Sequence, residues 1–163
     1  MTAQSADQLI DMIQVLENTS SQLNDVLKKE QDILKSNDSQ ELLTLSKEKK
    51  ALVSSLESHT KTTHIFLRNM NINKGLYGLS DFLSQIKPGE TKTRLTDLWL
   101  NIQSFADTNK KLNDINGSII ELNRRHTQRS LDVLRGQTGS TTSTYGADGQ
   151  TMKGKTSNNL SIA

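Results

Sequence analysis

Residues 9–34 read LIDMIQVLENTSSQLNDVLKKEQDIL. Leu9, Ile13, Leu16, Leu23, Leu27 and Leu34 lie on one line that steps by four and three, with Ser20 and Glu30 at two of its places. A stripe recurring every 3.5 residues is the seam of a helix packed in coiled-coil fashion. The polar residues at Ser20 and Glu30 interrupt that seam. After Ser36-Asn37-Asp38 the same stepping resumes with Leu42, Leu45, Lys49, Leu52, Leu56, His59, Thr63, Phe66 and Met70. Asp38 can cap the second segment, with Glu41 three residues on completing a capping box. Helices are expected over about residues 5–36 and 39–70, each roughly 48 Å long at 1.5 Å per residue. A short link between two helices of equal length predicts an antiparallel hairpin.

Residues 71–93 change character, with Gly75, Gly78, Pro88 and Gly89 as punctuation. A short apolar patch (Leu79, Phe82, Leu83, Ile86) predicts one or two helical turns after Ser80 within a connection that returns the chain along the hairpin. A third helix is expected over about residues 93–135. Leu95, Ile102, Asn109, Asn116, Asn123 and Ser130 share one of its heptad positions. Leu98, Phe105, Leu112, Ile119, His126 and Val133 share the other. At roughly 64 Å this helix outruns either hairpin arm, so its distal end is expected to project or to pack loosely. Asparagines at seam positions weaken a coiled coil while restricting its register. Three in sequence argue against a permanently buried, dry seam. Beside them runs a displaced apolar stripe of Leu112, Ile115, Ile119 and Leu122, with Ile120 on its flank and Leu131 and Leu134 further along. Two part-apolar faces on one helix either both meet the hairpin or leave a groove for an amphipathic helix of a partner.

The composition agrees with a narrow-cored helical assembly. Only 33% of the 163 residues are apolar and 4% aromatic, against roughly 45–50% apolar in an average globular protein. The fold class read from the sequence is all-α: a long-helix hairpin plus a third, longer helix, forming a helical domain over 1–135. Residues 136–163 follow as a flexible tail. In that tail 136–144 (GQTGSTTST) and 151–159 (TMKGKTSNN) hold almost nothing to bury, and so cannot offset their ordering entropy. Between them stands Tyr145-Gly146-Ala147-Asp148-Gly149-Gln150, whose tyrosine is either idle or a docking side chain.

Several function classes are excluded by what is missing. The chain has no cysteine, so disulfides and thiolate chemistry are ruled out and a reducing compartment fits. The first twelve residues do not read as a secretory signal, and no run approaches the ~18 apolar residues of a membrane span. His59 and His126 fall on seams as polar interruptions, and with no Asp/His cluster no zinc site or other cofactor is expected. There is no phosphate loop and no nucleophile elbow; the chain is not expected to be an enzyme. A net charge of +2 is too small to imply nucleic acid. The run Arg124, Arg125, Arg129, Arg135 is what a helix C-terminus favours and has no aromatics interleaved for base stacking.

The C-terminal third carries a more specific signal. Leu112-Asn113-Asp114-Ile115-Asn116-Gly117 followed by Ile119-Ile120-Glu121, then Gln128, Leu131 and Leu134, then the hexapeptide Tyr145 to Gln150, then Leu160, Ser161 and Ile162, resembles the FlgN-type flagellar type III export chaperones. The resemblance spans about residues 112–162; the first hundred residues share only two long amphipathic helices with that family. It implies a cytoplasmic, non-enzymatic escort that binds the C-terminal helical segments of the hook–filament junction proteins, prevents their premature assembly and delivers them to the export gate. Carried over residue by residue, client binding falls on Asn116, Ile119, Ile120, Leu131 and Leu134. Docking to the cytoplasmic domain of the gate's membrane protein falls on Tyr145. The competing reading is a coiled-coil scaffold that self-assembles through the same stripes.

Overall fold

The computed structural model describes residues 3–36, 38–72, 74–136, 144–145 and 151–152. The fold is all-α. Helix α1 spans Ala3–Ser36, α2 Ser39–Asn69, α3 Leu79–Gln85 and α4 Glu90–Leu134, with a 3-10 turn at Gly75–Gly78 leading into α3. Residues 1–120 and 121–163 form two units, each described by itself below.

In the first unit α1 is the element around which the others pack. It buries Leu9, Ile13, Leu16, Leu23 and Leu27 on the predicted seam, and Ile10, Val26 and Ile33 beside it. A stripe this wide contacts neighbours on two sides, which a single hairpin partner cannot supply. One apolar cluster joins Leu9, Ile13 and Leu16 to Leu67 and Ile72 at the end of α2, to Leu79 and Leu83 of α3, and to Leu95 and Leu98 of α4. Each such leucine removed from water contributes roughly 1.5–3 kcal/mol. A smaller cluster of Val26, Ile33 and Leu45 closes the hairpin near its turn. Because Leu45 meets the end of α1 while Leu67 meets its beginning, α1 and α2 are antiparallel.

Local chemistry fixes the helix ends. Asp38 caps α2, its carboxylate accepting from the amides of Gln40 and Glu41 at 3.0 Å each. At the other end Asn71 takes a left-handed conformation, φ 64°. There the Asn71 amide donates to the Arg68 carbonyl (3.0 Å) and the Ile72 amide to the Leu67 carbonyl (2.9 Å). That is a Schellman ending with asparagine in the place glycine usually takes. Its accompanying apolar contact is present too, since Leu67 and Ile72 belong to one cluster.

The connection is more ordered than one or two turns after Ser80. The 3-10 turn begins at Gly75, whose φ of +56° and lack of a side chain let the His64 imidazole lie against it; a Cβ there would overlap that ring. Trp99 of α4 donates its indole N–H to Ser80 Oγ at 2.9 Å, tying α3 to α4. Helix α4 starts at Glu90, three residues earlier than the periodicity predicts. The Gly89 carbonyl already accepts from the Thr93 amide at 3.1 Å, and glycine is tolerated at an N-cap.

In the second unit α4 ends as Gly136 turns to φ +71°, its amide donating to the Val133 carbonyl at 3.0 Å. Of the flexible tail expected over 136–163, Gly136 and two dipeptides are described. Thr144–Tyr145 (β1) and Thr151–Met152 (β2) pair antiparallel, Tyr145 opposite Thr151.

Replacing Gly75 with alanine combines an unfavourable φ with a clash and should lower the unfolding free energy by about 1–3 kcal/mol. Urea unfolding followed by circular dichroism measures it. Adding His64→Ala should return only the steric part. An unchanged midpoint in the single variant would refute this account of the connection.

Candidate functional site

The polar interruptions of the three seams meet one another. Asn24 Nδ2 of α1 donates to Asn109 Oδ1 of α4 at 2.8 Å, and Asn109 Nδ2 donates to the Ser20 carbonyl at 2.9 Å. Seven residues along both helices, Asn116 Nδ2 donates to the Leu27 carbonyl and to Glu30 Oε2, each at 2.9 Å. Lys49 Nζ of α2 reaches Glu30 Oε1 at 2.6 Å. Residue numbers rise together on α1 and α4 through these bonds, so the two helices run parallel. The Glu30 side chain is 2% exposed, and an ionised carboxylate only accepts hydrogen bonds. It therefore needs donors from both neighbours. The Asn116 amide must turn its NH2 toward Glu30 and the Leu27 carbonyl, which leaves Asn116 Oδ1 buried with no hydrogen-bond partner.

This overturns one expectation. The asparagine seam is closed in the first unit, with Asn109 8% and Asn116 1% exposed. Asn116 is thus a structural residue facing α1 and is inaccessible to a client helix. Heptad periodicity places a polar residue on a seam but does not say whether the opposing helix supplies its partner. The displaced stripe is different. Ile115 is 47% and Ile120 41% exposed, and Ile119 is half-buried. Within the second unit Leu122, Leu131, Val133 and Leu134 are exposed, Leu134 to 82%. Of Tyr145 only the backbone pairing is described, and Gly146 to Gln150 lie outside the described residues.

No feature of the sequence announces the open cleft between α2 and α4. Two cavities of about 460 and 610 Å³ lie along it. Their linings come from α2 and α4, with Leu23 and Leu27 of α1 in one and Leu76 and Tyr77 of the connection in the other, so no single periodicity marks them. Among the described residues no group of three or more His, Asp or Glu side chains is placed to hold a metal. Among them, no helix is long and apolar enough to cross a membrane.

On the exposed face of the second unit, Glu121 accepts from Arg124 (2.9 and 3.0 Å) and Arg125 (3.0 Å). The Arg124 hydrogen bonds, then the single one from Arg125, pull its carboxyl pKa from 4.5 down to about 2. A carboxyl whose folded pKa is depressed stabilises the helix above its unfolded pKa and loses that contribution as pH falls. Here the window runs from about 4.5 down to about 2. Solvent screening keeps the energetic effect of such an exposed cluster small.

Two outcomes follow from these contacts. Lys49→Ala leaves Glu30 buried beside Asn116 alone and should destabilise by about 3 kcal/mol, whereas the double change Glu30→Leu/Lys49→Leu should cost less. Denaturant melts of both variants compare them; equal or reversed losses would contradict the pairing. The Glu121 carboxyl carbon, followed by NMR, should titrate near 2 and move up toward the ordinary carboxylate range in Arg124→Ala/Arg125→Ala.

No curated protein and no solved structure matches the chain. A family model does: the one described as FlgN protein matches residues 1–153. That match takes in the helical hairpin and connection as well as residues 112–153 of the stretch that carried the resemblance. With nearly the whole length covered, the chain belongs to the FlgN family of flagellar export chaperones.

Proposed function

We propose that this chaperone acts in the cytoplasm, binds the C-terminal helical segments of the hook–filament junction proteins, keeps them from assembling early and hands them to the type III export gate. Membership of the FlgN family gives the general role, a chaperone of hook-associated proteins in flagellar export. The division of labour within the chain rests on one observation. In the first unit Asn109 and Asn116 of the α4 seam are spent on α1, while Ile115 and Ile120 stay in water there and Leu131 and Leu134 do so in the second unit. A helical client with its own apolar stripe buries such side chains. Ile119 and Ile120 in the first unit and Leu131 and Leu134 in the second are the client contacts. Tyr145 is the contact with the cytoplasmic domain of the gate's membrane protein. A tail that orders on docking binds weakly for its contact area, which suits a complex that must release.

Leu131→Ala/Leu134→Ala should weaken binding of a junction protein's C-terminal helix by about tenfold, read by calorimetry, with helicity kept. Removing 136–163 should spare client binding and block delivery. Tyr145→Ala should weaken docking to the gate domain alone. Loss of client binding on truncation would reject this division. A chain that oligomerises through its helices and ignores the client would favour the scaffold reading.

A further inference from the structure

Helices α1, α2 and α3 contain no glycine, and α4 contains one. Gly117 stands in the interior of that 45-residue helix, in regular helical conformation. It is exposed, and a Cβ added there meets nothing within 4 Å. Neither packing nor backbone conformation requires glycine at this place, yet glycine is the poorest helix former after proline. Ser118 follows, its Oγ donating to the Asp114 carbonyl at 2.9 Å, a back-bond that bends helices. Gly/Ser pairs are among the few causes of sharp helix kinks.

The location of the pair is a second observation. Asn116, directly before it, is the last buried residue of α4, fastened to the Leu27 carbonyl and to Glu30. From Gly117 to Leu134 no residue is buried. The weakest point of the helix thus coincides with the end of its lateral support. Beyond it the helix carries its own bracing. Glu121 pairs with Arg124 and Arg125, and Gln128 Nε2 donates to Asp132 at 2.8 Å. Pairs three and four residues apart stabilise a helix locally.

We propose that Gly117-Ser118 is a hinge, at which residues 119–134 swing as one helical arm while α4 up to Asn116 stays fastened to α1. A helix that merely frays loosens progressively toward its end, whereas one braced on both sides of a soft pair bends at that pair. The use made of the hinge rests on the client contacts proposed above. Leu131 and Leu134 lie roughly 21–26 Å beyond Gly117 along the helix, so a bend of about 20° displaces them by roughly 7–9 Å. That displacement brings the same two leucines onto apolar stripes at different heights on a bound helix. Gly117 is a positioning residue and touches no client.

The test compares the full-length protein with Gly117→Ala/Ser118→Ala by NMR residual dipolar couplings, which average over motions up to milliseconds. In the native chain the amides of 119–134 should keep helical chemical shifts, with couplings uniformly scaled down against those of 90–116 and a step at the Gly-Ser pair. The double variant should remove most of that step. One alignment for both stretches, couplings that fade gradually toward Leu134, or a step that survives the substitutions would each overturn the hinge. Calorimetry with a junction protein's C-terminal helix tests its use. Stiffening lowers the fraction of bent, binding-competent arm and should weaken affinity by about tenfold, although no contact residue has changed. Unaltered or tighter binding would reject the positioning role. Leu131→Ala/Leu134→Ala should leave the couplings as they are, so failure of the client contacts shows in the calorimetry and failure of the hinge in the couplings.

Discussion

A buried carboxylate with no donor is untenable, and the arrangement of the first unit turns on how Glu30 avoids that. Lys49 comes from α2 and the Asn116 amide from α4, so one side chain of α1 holds both neighbours. A buried ion pair of this kind adds little net stability over an apolar substitute. Its effect is on selection: an arrangement that withdraws either donor leaves charge stranded, at a cost of several kcal/mol. The repeat Asn109, Asn116, Asn123 does not by itself choose among slips of one heptad, because each slip presents another amide. That choice falls to the apolar cluster of Leu9, Ile13, Leu16, Leu67, Leu79 and Leu95 and to the Trp99–Ser80 bond that ties the connection to α4.

Spending the α4 seam on α1 has a consequence for function. In the first unit the line carrying Asn109 and Asn116 is closed against α1. What stays in water is the stripe offset from it, carried by Ile115 and Ile120 in the first unit and by exposed leucines in the second. A chaperone whose own fold and whose client shared one stripe would have to unfold to bind. In the division of labour proposed above, two stripes on one helix separate those tasks, and modest apolar exposure allows contact without permanent capture.

The helices and several of their ends were legible before any coordinates. Asp38 caps as its residue type and position require, and the places where polar residues enter the seams are visible as breaks in a period. Their pairing was not. Ser20, Asn24, Asn109 and Asn116 look alike in sequence whether they face water or each other, so the resemblance that puts client binding at Asn116 carries no sign that α1 seals that residue. Asn71 gives no signal separable from any loop asparagine, and the need for glycine at Gly75 arises from its φ of +56° and from His64, eleven residues earlier, lying against it.

Sequence alone determined the helical class, the seam positions, the absence of thiol chemistry and, through its C-terminal third, the family. Those rest on local periodicity, composition and motif, which each segment carries within itself. Tertiary structure decided which face of α4 is spent on the fold, which buried polar groups satisfy one another, and that cavities open between α2 and α4. These depend on how separate helices face one another. A hydrogen bond between residues 85 or more positions apart, such as Asn24 with Asn109, leaves no trace in the pattern of either helix.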